Sequence, residues 1–137
     1  MCRNCLMYQN IFLVISMMMF SCANSKPTSG EVLLKWGDGG GFSGVETTFT
    51  LWTDGKVDRN GTAIGRFKKS DIRQIKENLA TLGIENIQWN QPGNMYQILE
   101  IPVQGSLHKL VWDPYQEDFP KSLGLFYNYL KHLQNKL

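Results

Sequence analysis

Cysteine is missing from residue 23 onward: Cys2, Cys5 and Cys22 are the only three in the 137-residue chain. A disulfide framework or a four-ligand zinc site is thereby excluded for everything downstream, because each needs several ligands or partners. Cys2 and Cys5 have C-x-x-C spacing, but no second Cys or Cys/His pair follows them. An apolar run comes next instead of the strand–helix context of a redox dithiol. Histidine is equally scarce, with His108 and His132 alone, and neither belongs to an H-E-x-x-H helix. No serine occupies G-x-S-x-G, since Ser43 is followed directly by Gly44. An excess of either charge is also lacking. The 14 basic residues against 12 acidic ones leave no concentrated basic surface of the kind that holds nucleic acid. The expectation is a chain with no catalytic residues, no metal and no cofactor.

No stretch is long enough to span a bilayer. The most apolar segment, Ile11–Phe20 (IFLVISMMMF), is far shorter than the roughly 20 residues that a core of about 30 Å requires. Behind Arg3 it has the proportions of a signal-peptide h-region. Met19-Phe20-Ser21-Cys22 then resembles the lipobox of bacterial lipoproteins, with an apolar residue at −3, a small one at −1, and Cys. An ordinary signal peptide cleaved near Ser21 or Ala23 is the alternative. The resemblance implies a signal over residues 1–21 and Cys22 as the lipid-bearing first residue of the mature protein. Several acyl chains anchor stably where one does so only marginally. Ala23 at +2 is not the Asp of inner-membrane retention, so an outer-membrane anchor facing the periplasm is implied. Residues 22–30 form the lipidated Cys and a polar tether (ANSKPTSG from Ala23), and residues 31–137 a single domain.

Within that domain, Glu31–Trp36 alternates with Val32, Leu34 and Trp36 on one face and reads as a strand. Gly37–Gly44 reads as a glycine-rich loop. Val45–Thr53 is a strand with Phe49 and Leu51 on one side and Glu46, Thr48, Thr50 and Trp52 on the other. Asp54-Gly55 predicts a type I′ hairpin turn, and Asn60-Gly61 repeats the signal. Ser70 is the expected N-cap of a helix carrying Ile72, Ile75, Leu79 and Leu82, which Gly83 stops. Ile84–Gly93 is expected as a loop containing Trp89. A second hairpin over Asn94–Trp112 turns at Gly105-Ser106, with Pro102 at an edge or strand end and His108 opposite the apolar face. Asp118 is the expected cap of a last helix with Phe119, Leu123, Phe126, Leu130 and Leu133 along one face. The order β-β-β-(β)-α-β-β-α predicts an α+β fold: an antiparallel sheet of four to five strands with two helices on one face.

Gly39, Gly41 and Gly44 satisfy G-x-G-x-x-G, but a strand follows, where a dinucleotide site needs a helix N-terminus. Asp58-Arg59-Asn60-Gly61 resembles part of a calcium loop, yet Lys56 and Phe67 occupy the positions that need acidic ligands. Asp113 with Glu117 or Asp118 reads as a set of solvated turn carboxylates. What remains is a loop that is costly to order, with Phe42 at its tip. Gly40, Gly41, Phe42, Ser43 and Gly44, together with Trp52, Trp89 and Tyr96, are the candidate binding residues.

Gly40-Gly41-Phe42-Ser43-Gly44 after a first strand resembles the G-G-F-x-G of the emfourin family, small proteinaceous inhibitors of thermolysin-like metallopeptidases. The single helix between two sheet segments, and Pro92–Leu99 followed by Leu107–Trp112 and a closing helix, resemble the family's layout. The resemblance implies a binding or inhibitor-like domain whose protein partner is such a peptidase. The rival expectations are an envelope-maintenance lipoprotein that docks on another envelope component and a hydrolase with a scattered site.

Overall fold

The structure, a computed structural model, describes residues 30–137. The expected leader, the lipid-bearing Cys22 and the tether up to residue 29 lie outside the described residues. The fold is α+β. Seven strands form one sheet: β1 (Val32–Gly40), β2 (Thr47–Trp52), β3 (Lys56–Arg59), β4 (Thr62–Arg66), β5 (Asn90–Gln91), β6 (Met95–Val103) and β7 (Ser106–Trp112). Their spatial order is β4-β3-β2-β1-β6-β7-β5. Helix α1 (Lys69–Thr81) separates β4 from β5, and α2 (Lys121–Gln134) closes the chain.

The strand alternation decides which face is covered. Leu34 and Trp36 of β1, Phe49 and Leu51 of β2, Leu99 and Ile101 of β6, and Leu110 and Trp112 of β7 share one buried cluster with the helices. From α1 come Ile75 and Leu79, and from α2 come Leu123, Phe126, Tyr127, Leu130 and Leu133. Each such side chain, fully buried, contributes about 1.5–3 kcal/mol. Trp36 stacks on Phe49 with centroids 5.3 Å apart, and Trp112 meets Tyr127 edge-on at 5.2 Å. The other face carries no helix. It shows the polar partners of the same alternation, including the Lys109–Glu100 ion pair at 3.3 Å.

Several local expectations are corrected. The sheet has seven strands, where four to five were expected, and it is mixed, because β5 runs parallel to β7 inside the segment expected to be a loop. The first strand continues four residues beyond Trp36. Gly37 and Gly39 are strand positions where neighbouring chains come too close for a side chain: a Cβ on Gly37 would collide with the Thr47 carbonyl, and one on Gly39 would lie 2.6 Å from the Tyr96 ring. The glycines serve close approach there, and the loop shrinks to Gly41–Glu46. Asn60-Gly61 has the two positive φ angles of a type I′ turn (48° and 82°). At Asp54-Gly55 only Gly55 is left-handed (φ 92°), which fits a three-residue turn closed by a glycine bulge. The second hairpin turns at Gln104-Gly105, both left-handed, one residue earlier than expected. His108 lies on the helix side of β7 with Leu110 and Trp112, where its Nε2 is 2.7 Å from the Ile87 carbonyl. The last helix begins after Pro120, so Asp118 does not cap it.

Ser70 likewise lies inside the first turn of α1. The helix is capped by Asp71, whose carboxylate accepts the Lys68 backbone N–H at 3.2 Å. Asp71→Ala should therefore cost about 0.5–1 kcal/mol in urea unfolding, through the lost cap and lost dipole interaction. Ser70→Ala should change it by less than about 0.5 kcal/mol; equal losses would return the capping role to Ser70.

A candidate binding surface at one end of the sheet

Cross-strand register brings distant segments to one end of the sheet. The last residue of β1 pairs with the first of β6, Gly40 with Met95, and β5 and β7 finish beside them. The Gly41–Glu46 loop, the Pro92–Asn94 turn and the Asp113–Asp118 turn consequently share that end. Gly40 (φ 94°) leaves no room for a Cβ against the Asn94 carbonyl, and Gly41 donates its N–H to that carbonyl at 2.7 Å. Gly44 donates back to the Gly41 carbonyl at 3.2 Å, closing a turn whose tip is Phe42-Ser43. The foot of the loop is fixed to the sheet, while its tip stands clear.

Phe42 is fully exposed. Val45 is exposed in the same loop, Tyr115 in the Asp113–Asp118 turn and Met95 at the strand start. Contacts link these segments in series. Met95 Sδ lies 3.0 Å from where a Gly41 Cβ would be, Gly93 sits tight against the Asp113 carboxylate, and Asp113 Oδ1 accepts the Tyr115 N–H at 2.9 Å. Tyr96 lies flat over Gly39 on the open face and donates its hydroxyl to Glu46 at 3.2 Å. That bond to a carboxylate raises the Tyr96 pKa, with partial burial and the Glu46 charge acting in the same direction. The phenol thus remains a donor that ties the loop to β6. Every charged residue in the three loop segments is acidic: Glu46, Asp113, Glu117 and Asp118. This end of the sheet thus combines exposed apolar side chains with acidic ones.

The structure unites Gly40, Gly41, Phe42, Ser43, Gly44 and Tyr96 and separates the other two candidates. Trp52 pairs with Val32 at the opposite end of the sheet, where its indole N–H donates to Asp58 at 2.8 Å and the Lys56 ammonium lies 5.3 Å from the ring centre. Trp89 is half-buried against the core, and its carbonyl accepts the Val111 N–H. Val45, Met95 and Tyr115 are the residues that sequence reasoning missed. Asp113-Pro114 signals a turn, but nothing local says that the turn abuts the glycine loop.

The carboxylates are dispersed. Asp113 is occupied by its own turn. Asp38 accepts the Tyr127 hydroxyl at 2.8 Å and pairs with Lys131 at 3.3 Å. Tyr127 also donates to the Gly37 carbonyl, and burial, reinforced by Asp38, pushes its pKa well above the ordinary phenol value. Among the described residues no group of three His, Cys, Asp or Glu side chains is placed to hold a metal ion, and no helix is long and apolar enough to cross a membrane. The chain matches no protein-family model and no curated protein sequence.

Proposed function

We propose that the chain is a lipid-anchored, non-catalytic binding module that presents its Phe42 end to a protein ligand, with thermolysin-type metallopeptidases the class to which its emfourin-like sequence points. The observation that carries this reading is Phe42 itself. A fully exposed aromatic on a loop with a fixed foot costs stability nothing to lose, yet it supplies an anchor whose ordering is largely complete before binding. Exposed apolar and acidic side chains at the same end extend the anchor into a patch of the mixed character expected for an interface. The test is stoichiometric addition of the full chain to several thermolysin-type peptidases. Loss of activity in proportion to the inhibitor added is expected with at least one, and no effect on any would sink the inhibitor reading.

Anchoring through Cys22 places the module in the cell envelope, on the outer membrane facing the periplasm. The polar tether before Glu31 supports this arrangement by letting the domain stand off from the lipid. Cys22→Ser removes the acyl acceptor and should move the protein from the membrane fraction to the soluble fraction. A variant that still partitions wholly with membranes would overturn the anchor.

A further inference from the structure

A cleft of about 480 Å³ opens on the helix side of the sheet, between β2, β3, β4 and the last turns of α2. That volume lies within the range of small-molecule sites. Its position follows from the register: Asp38, Thr47 and Arg59 are neighbours near the loop end of β1, β2 and β3, and α2 stops short of covering β4. Two kinds of surface meet in it. Phe49, Ile64 and Leu137 supply apolar walls, and Ile64 and Leu137 are left partly exposed. Arg59, Lys131, Gln134 and Thr47 supply hydrogen-bond donors.

The donors are not all committed. Lys131 and Asp38 neutralise each other. Gln134 accepts the Trp36 indole N–H through Oε1 at 3.1 Å, which orients its amide and leaves the NH2 group as a donor at the cleft lining. The Arg59 guanidinium lies 5.9 Å from the Phe49 ring centre and pairs with no carboxylate among the described residues. The lining side chains Arg59, Lys131 and Asp38 therefore sum to one positive charge beside an aromatic wall. A planar guanidinium matches a carboxylate through two parallel hydrogen bonds. A doubly charged phosphate ester would exceed that single charge and face Asp38 as well.

We infer that this cleft binds a small apolar monocarboxylate, with Arg59 and the Gln134 amide on the carboxylate and Phe49, Ile64 and Leu137 along the hydrocarbon. The site is separate from the Phe42 surface, and Phe42→Ala should leave it unchanged. Octanoate titrated into the full chain, followed through the Ile64 and Leu137 methyl resonances, is the direct test. Saturable shifts are expected, with binding at least about tenfold weaker for Arg59→Gln, as the loss of a charged hydrogen-bonding group implies. Octanol and octyl phosphate, compared on the unaltered protein, should also bind at least about tenfold more weakly than octanoate. Equal binding of octanol, tighter binding of octyl phosphate, unchanged affinity in Arg59→Gln, or no saturation at these methyls would each overturn the proposal.

Discussion

Gly37→Ala is expected to destabilise the domain by about 3 kcal/mol, with a fall in Tm of roughly 10–20 °C. Gly37 is buried in the centre of the sheet, paired with Thr48 on β2 and Ile98 on β6. A methyl group there would overlap the Thr47 carbonyl and lie 3.1 Å from Thr48 Cα. These are backbone atoms, so no rotamer change relieves the contact. Relief requires β1 and β2 to part, which lengthens ladder hydrogen bonds and draws the Gly37 carbonyl away from the Tyr127 hydroxyl, now 2.7 Å from it. Tyr127 sits in the middle of the core, so the shift is not local. Gly44→Ala is the useful comparison. Its left-handed φ of 60° carries a cost of about 1–2 kcal/mol, but no atom lies within 4 Å of the added methyl. Thermal and urea unfolding of both variants would separate close approach from backbone conformation. A Gly37→Ala loss no greater than that of Gly44→Ala would refute the packing argument.

Phe42→Ala should do the reverse: leave unfolding within about 0.5 kcal/mol of the unaltered protein and abolish most of the binding. The ring contributes nothing to the core because it is fully exposed. A central aromatic anchor is worth about 2 kcal/mol or more, so the inhibition constant against a susceptible peptidase should weaken by about 30-fold or more. The acidic side chains add a kinetic signature. Association should slow as salt rises, because Glu46, Asp113, Glu117 and Asp118 can steer only a partner of opposite sign, and salt screens exposed charges. Undiminished inhibition by Phe42→Ala would exclude this loop as the docking surface, whatever the rest of the domain does.

Much of the fold could be read from local chemistry. The alternation of β2 assigned Phe49 and Leu51 to the core and Thr48, Thr50 and Trp52 to the other face, as the burial shows. The spacing of Leu123, Phe126, Leu130 and Leu133 defined the inner face of α2, and Gly83 ended α1 in a left-handed conformation. These signals depend on periods of 2 and 3.6 residues and on single-residue backbone preferences, all of which are contained within short windows. Binding residues were less legible. Tyr96 and the glycine loop were both nominated, but only the Gly40–Met95 register makes them neighbours. Trp52 and Trp89 were both candidate binding aromatics until one proved to lie at the far end of the sheet and the other against the core.

The sequence by itself determined the α+β class, the hairpins, the helix faces and the confinement of cysteine to the first 22 residues. Only the tertiary structure decided that Gly37 and Gly39 belong to a central strand, that Asn90–Gln91 adds a parallel edge to the sheet, and that Phe42, Met95 and Tyr115 share one end. The physical reason is that each depends on contacts between residues far apart in the chain, as the two glycines illustrate. A glycine's freedom is compatible with a turn and with close packing alike, and the choice is made by Thr47 and Tyr96, residues ten and fifty-seven positions away.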